Sequence, residues 1–268
     1  MGRVICVCNQ KGGVGKTTTA VNIASCMALA EKRSLLIDLD PQANASSGLA
    51  VRLSAGEPSV YELLLSQSVF DRVVRGTQLK YLDLLPASQD LIGAEVEFIG
   101  LQHLERMLAS AIEGIRDRYD YLFIDCPPSL GLLTVNALVA ADTVLVPIQC
   151  EYYALEGVGS LMNTIRRIQS SFNRSLKLEG VLLTMFDPMN NLSHQVVDDV
   201  RKHFTDKVFD TIIPRNVRLS EAPSFGKPVV LYYIASRGAA SYLSLSKEIL
   251  DAERNGNGEK AYGVGTRA

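Results

Sequence analysis

A glycine-rich stretch, Lys11-Gly12-Gly13-Val14-Gly15-Lys16-Thr17-Thr18, joins an apolar run (Arg3-Val4-Ile5-Cys6-Val7-Cys8) to a helical pattern that opens Thr19-Ala20-Val21-Asn22-Ile23-Ala24. Strand, tight turn and helix in that order commit the chain to a strand–loop–helix unit whose loop amides face an anion. The glycines let the backbone curl so that successive N–H groups converge, and the helix start adds its positive dipole end. Lys16 is spaced to reach the β- and γ-phosphates of a nucleotide, and the Thr17 hydroxyl to hold Mg²⁺. Gly12, Gly13, Val14, Gly15 and Thr18 complete the phosphate cradle. The strict pattern G-x-x-x-x-G-K-[ST] asks for glycine at position 10, where this chain has Gln10 followed by a second lysine, Lys11. One nucleotide does not need both lysines from one subunit. A loop-head lysine unable to fold back onto its own nucleotide would reach one across a dimer interface.

Beyond the loop, apolar strands alternate with helical patterns. Strands are expected at 3–9, 34–39, 81–85, 120–125, 143–149 and 178–184, with a shorter one near 211–213. Several are continuous apolar runs, such as Tyr121-Leu122-Phe123-Ile124 and Thr143-Val144-Leu145-Val146, as parallel strands covered on both faces require. Helices are expected at 17–30, 59–66, 102–117, 131–140, 156–170, 191–204 and 239–251. The alternation predicts an α/β fold, a doubly wound and mostly parallel sheet flanked by helices, with ligands at the C-terminal ends of the strands. One domain over 1–252 is expected, followed by a polar, flexible tail over 253–268.

Composition narrows the class. At 268 residues, 47% hydrophobic and 21% charged, the chain can bury a large core as a soluble globular protein. No apolar run approaches the ~18 residues of a membrane span, and no secretory leader precedes the first strand. Five cysteines, Cys6, Cys8, Cys26, Cys126 and Cys150, are an odd number scattered through apolar segments. They read as buried thiols of a reducing cytoplasm rather than a disulfide frame. Cys6-x-Cys8 is too tightly spaced for a usual zinc knuckle, and no histidine lies nearby. Residues 1–173 carry 14 Lys and Arg against 18 Asp and Glu, whereas residues 174–247 carry 10 against 7. Any polyanion site must therefore be a local patch in the C-terminal third.

Two carboxylate motifs end strands where a nucleotide-hydrolysing sheet needs them. The run Leu35-Leu36-Ile37-Asp38-Leu39-Asp40-Pro41-Gln42 ends a strand with aspartates two apart, so Asp38 and Asp40 are expected to point the same way at the strand's catalytic end. One can assist Mg²⁺ through water while the other orients the attacking water. In Tyr121-Leu122-Phe123-Ile124-Asp125-Cys126-Pro127-Pro128, four hydrophobic residues precede an aspartate that would bind Mg²⁺ through its water shell. Phosphoryl transfer to water is the chemistry this set suits.

The loop resembles the "deviant" Walker A loop of the ParA/MinD ATPases. The blocks Pro147-Ile148-Gln149-Cys150-Glu151-Tyr152-Tyr153-Ala154-Leu155-Glu156-Gly157 and Pro214-Arg215-Asn216-Val217-Arg218-Leu219-Ser220-Glu221-Ala222-Pro223-Ser224 resemble the short, Soj-type ParA chromosome-partitioning ATPases, over roughly residues 3 to 251. The resemblance implies a P-loop ATPase in which Lys11, Lys16 and Asp40 serve hydrolysis, Asp40 chiefly, with Lys11 crossing to the partner's ATP in a face-to-face dimer. Thr17, Asp38 and Asp125 would serve Mg²⁺, and Pro214 and Asn216 would line the adenine pocket. It further implies an ATP-dependent homodimer that binds double-stranded DNA without sequence preference, on the nucleoid in the cytoplasm. A ParB-like partner would stimulate a slow ATPase. Arg218, Lys227, Arg237 and Lys247 are the candidate phosphate contacts. Many relatives carry an arginine where this chain has Met189, which would weaken the DNA footprint or shift it to Arg201 and Lys202. Two alternatives stay open: a MinD-like positioning ATPase acting on a membrane or protein scaffold, and an ATP-bound scaffold that hardly hydrolyses. The tail after Leu250 lacks the apolar face that a membrane-binding helix needs.

Overall fold

The computed structural model describes residues 1–261 apart from 67, 68, 99, 153 and 155. Its strands are β1 (Arg3–Val7), β2 (Ser34–Asp38), β3 (Arg75–Gly76), β4 (Leu82–Leu85), β5 (Tyr121–Asp125), β6 (Thr143–Gln149) and β7 (Lys177–Thr184). Among the described residues they form one sheet in the order β3-β4-β2-β5-β1-β6-β7, parallel throughout except for the β3–β4 pair. The expected α/β class, with a mostly parallel sheet, is the observed one.

Side-chain alternation along each strand builds two cores from one sheet. Val4, Cys6, Leu35, Ile37, Leu122 and Ile124 face one buried cluster. Ile5, Val7, Leu36, Tyr121 and Phe123 face the other, with the helix Lys16–Leu29 and Tyr242, Leu245 and Ile249 of the last helix. Helices on both faces explain why the middles of these strands are apolar, with Arg3, Ser34, Asp38 and Asp125 at their ends.

Three expectations are corrected. No strand forms at 211–213. The chain there runs beside β7 through isolated bridges, Val181 with Val208 and Phe186 with Pro214. The Ile213 amide bonds Leu183 O at 2.9 Å, but Pro214 has no N–H with which to extend a ladder. The single helix expected at 102–117 is a 3₁₀ turn (Leu104–Arg106), a short helix (Met107–Glu113) and another 3₁₀ turn (Arg116–Arg118). Asn136 explains the break, because its Oδ1 accepts from Leu108 N at 3.1 Å and its Nδ2 donates to Leu104 O at 2.8 Å. A continuous helix would join those two backbone groups to each other. The last helix runs Arg237–Ala261, past the expected end at 251 and into the segment read as a tail; residues 262–268 of that tail lie outside the described residues.

Candidate active site

The glycine loop leaves β1 between β5 and β6, where the strand order departs from sequence order and open α/β sheets form their crevice. Two conformations there require glycine: Gly13 has φ 74° and Gly15, the N-cap of the helix Lys16–Leu29, has φ 88°. That cap has no side-chain hydrogen bond, and the first turn carries no acid. The helix N-terminus therefore keeps its amides and its positive end for an outside anion. Gly12 is different, since a Cβ added there would meet only Pro128 Cβ at 3.9 Å.

Residues that the sequence reading passed over hold the loop. Asn9 Nδ2 donates to Pro147 O at 2.7 Å while its Oδ1 accepts from Lys11 N at 3.0 Å, fixing the loop head to β6. Thr184, the last residue of β7, donates its hydroxyl to Val14 O at 2.9 Å. An Asx turn just before a glycine loop is a signal that Asn9 could have given. Thr184 has none in sequence, because β7 meets the loop only through the fold.

Lys16 is buried and donates from Nζ to Lys11 O at 3.0 Å. Burial lowers its pKa, while Asp125, Cys8, Cys126 and Asp40 favour the charged form. The Lys11 ammonium has no carboxylate within ion-pair distance among the described residues.

Two of the three aspartates come together by register: Asp125 pairs with Val7 of β1 on one side and Asp38 of β2 on the other. Asp125 is fully buried, and among the described residues neither of its carboxylate oxygens has a hydrogen-bond partner. Desolvation first, then the charge of Asp38, pushes its pKa well up; the Thr17 hydroxyl lies near enough to oppose this without bonding geometry. A buried carboxylate without donors, beside a hydroxyl, is what a hydrated divalent cation would complete.

Asp38, paired with it in the sequence reading, does something else. Its Oδ2 accepts from Ser46 N at 2.9 Å and Ser46 Oγ at 2.7 Å, and its Oδ1 from Asp40 N at 3.2 Å. Burial raises its pKa to about 6 against these bonds. Asp38 thus organises the loop that carries Asp40, each of its oxygens accepting from that loop. Asp40 lies past the end of β2, which stops at Asp38, so strand alternation does not orient it. Its Oδ1 accepts from Gln42 N at 3.0 Å, and the described residues give Oδ2 no donor.

Beside the loop lies a cavity of about 300 Å³, lined by Gly15, Thr18, Thr184, Pro214, Asn216 and Tyr242 among others. Pro214 and Asn216 are both in its wall. Asn216 Oδ1 accepts from Arg218 N at 3.0 Å to cap the helix Val217–Glu221, which leaves its amide N–H groups as the donors toward the cavity. Met185 in the same wall has φ 52°, a strained position for a residue with a Cβ.

The candidate DNA contacts do not converge so clearly. All four are exposed. Arg218 bonds Glu221 Oε2 at 2.7 Å and lies over the Tyr233 ring at 5.1 Å. Lys227 borders a cavity of about 270 Å³ with Thr17, Thr18 and Asn44. Arg237 and Lys247 are both exposed on the last helix. Met189 is 91% exposed, and Arg201 and Lys202 lie in the last turn of the helix Asn191–Phe204. In the block 147–157, Tyr153 and Leu155 lie outside the described residues. No described helix is long and apolar enough to cross a membrane.

Residues 2–178 match the family model described as an AAA domain. The chain is 54% identical over 250 residues to the chromosome partitioning protein ParA of Myxococcus xanthus, covering 93% of this chain and 88% of that protein. It is 53% identical over 249 residues to the sporulation initiation inhibitor protein Soj of Bacillus subtilis, covering 93% and 98%. Among solved structures, cobyrinic acid a,c-diamide synthase of Mycobacterium smegmatis, with bound ADP and magnesium, superposes with a TM-score of 0.84 at 36% identity, covering 96% of this chain and 97% of the other. With its glycine loop, its two lysines and its buried strand-end carboxylates, the chain belongs to the ParA/Soj family of partitioning P-loop ATPases.

Proposed function

We propose that this protein is an ATP-hydrolysing switch for DNA segregation, acting as a single ATPase domain over 1–252. The observation that carries the reading is Asp125, a buried carboxylate with no donors, set beside Thr17 and Lys16 at the mouth of the loop. The relatives' names, chromosome partitioning protein and Soj, support the biological setting.

ATP is the substrate, its phosphates on the loop amides and Lys16, its base in the cavity against Pro214 and the Asn216 amide. Thr17 and Asp125 would hold Mg²⁺, the ion bound with ADP in the Mycobacterium smegmatis structure. When bound, the ion would neutralise charge on the phosphate oxygens. Asp40 orients the attacking water through its free oxygen, and Asp38 keeps that loop in place. Lys11, unpaired in its own subunit, reaches the nucleotide of a second copy, so the competent form is an ATP-dependent homodimer. The dimer binds duplex DNA through cations summed over two subunits, Arg218, Lys227, Arg237 and Lys247 being the candidates. A ParB-like partner stimulates hydrolysis and release, and the protein works in the cytoplasm on the nucleoid.

Binding of the purified protein to non-specific duplex DNA, with ATP, ADP or no nucleotide and across a salt series, tests the switch. Binding only with ATP, falling steeply as salt rises, is the expected result. ATP-driven dimers that leave DNA free at every salt concentration would overturn the DNA role while sparing the ATPase.

A further inference from the structure

Three buried thiols have no part in nucleotide chemistry. Cys6 lies on the strand that feeds the loop and Cys8 just past its end, and both face the same buried cluster. Parallel pairing of Val7 with Asp125 sets Cys126, just past the end of β5, beside them in that cluster. The three sulfurs lie within 4.8 Å of one another, and Cys6 Sγ and Cys126 Sγ are 3.3 Å apart. All three are free thiols at 0% exposure. The other two cysteines, Cys26 and Cys150, are outside the cluster.

We propose that Cys6, Cys8 and Cys126 form an all-sulfur site for a soft monovalent ion, Cu(I). Thiolate sulfur selects Cu(I), zinc or iron–sulfur clusters over hard cations. Metal–sulfur bonds of about 2.3 Å arranged in a trigonal plane set the sulfurs about 4 Å apart. That falls inside the spacing the three sulfurs already have, so small rotamer shifts would open the Cys6–Cys126 contact far enough. Zinc asks for a fourth ligand, and among the described residues no histidine or carboxylate joins the group. Cu(I) is satisfied by three sulfurs. Each thiol that ligates gives its proton to the buffer. The Lys16 ammonium, close enough to interact with Cys8 and Cys126, offsets part of the thiolate charge.

Anaerobic titration of the full chain with Cu(I) supplied as its bicinchoninate complex reads transfer as loss of the complex's colour. One equivalent is expected to move to the parent protein, and likewise to Cys26→Ala and Cys150→Ala. Cys6→Ala and Cys126→Ala should bind more than about 100-fold more weakly, beyond what losing an outer-shell partner costs. A parent that leaves the colour unchanged, or equal transfer to Cys6→Ala, overturns the site. Copper-edge absorption fine structure on the loaded parent gives the ligand count without any variant. Three sulfurs support the proposal; two sulfurs, or nitrogen or oxygen ligands, overturn it. Uptake of one equivalent of zinc from a chromophoric chelator, with none of Cu(I), overturns the choice of ion.

Discussion

Gly12 shows how a single residue separates binding from assembly. Its φ lies outside the left-handed region and an added Cβ meets ordinary contact only, at 3.9 Å from Pro128. The loop of one subunit therefore tolerates a side chain there, whereas in the proposed dimer a second subunit closing on exposed Gly12 would not. Gly12→Val should keep ATP affinity within about threefold yet abolish the ATP-dependent dimer; light scattering that shows the dimer intact would refute the face-to-face arrangement. Asp40 makes the complementary case. Among the described residues its carboxylate accepts only from the Gln42 amide, so Asp40→Ala should bind ATP and dimerise while phosphate release falls at least about 100-fold, the scale of losing a positioned base. Turnover at the parent rate, measured by phosphate release, would assign the water to another residue.

At the scale of elements, the loop is held by strands that are not its neighbours in sequence. β7 ends on Thr184, which straps Val14 O to the far side of the sheet. Thr184→Val keeps the shape and removes the hydroxyl, leaving a buried carbonyl short of its donor. The expected cost is about 1–2 kcal/mol in a urea melt, together with a several-fold weaker nucleotide affinity by calorimetry. An unchanged melt would mean that the strap contributes nothing to the loop. The broken helix at 104–118 follows the same logic, because the Asn136 amide takes the backbone pair that would have continued it.

For the whole molecule, the carboxylates gathered by β1, β2 and β5 set a pH dependence. Burial raises Asp38 from 3.8 to about 6, so the folded chain holds that proton more tightly than the unfolded chain does. Its contribution favours folding fully below about 4 and is lost as pH rises through about 6, amounting to about 3 kcal/mol by pH 7. Asp125, raised for the same reason and by the charge of Asp38, acts in the same direction. The nucleotide-free protein should therefore be more stable near pH 5 than near pH 7.5, and magnesium nucleotide should narrow the gap by compensating the charges. Denaturant melts at both pH values, with a carbon-13 titration of the carboxyls, check it; an Asp38 midpoint below 4 would remove the effect.

Sequence alone determined the local units, because their causes are local. Glycine spacing made the loop, apolar runs made β1, β2, β5 and β6, and period-2 alternation gave the sheet two cores. Lys16, Thr17, Asp40 and Asp125 could be named as candidates because each sits at or just past a strand end or at a helix start whose chemistry is written within a few residues. Pro214 and Asn216 were legible only through a resemblance. What tertiary structure decided is everything that depends on strand order. It left Asp125 without donors among the described residues and gave the oxygens of Asp38 to Ser46 and the Asp40 amide. It also brought Thr184 across to Val14 and set Ile213, from a segment expected as a strand, in a pocket wall. Strand order further gathered three cysteines from 120 residues apart into one cluster. Register between strands distant in sequence is set by the packing of both faces at once, and no local window of residues contains that information.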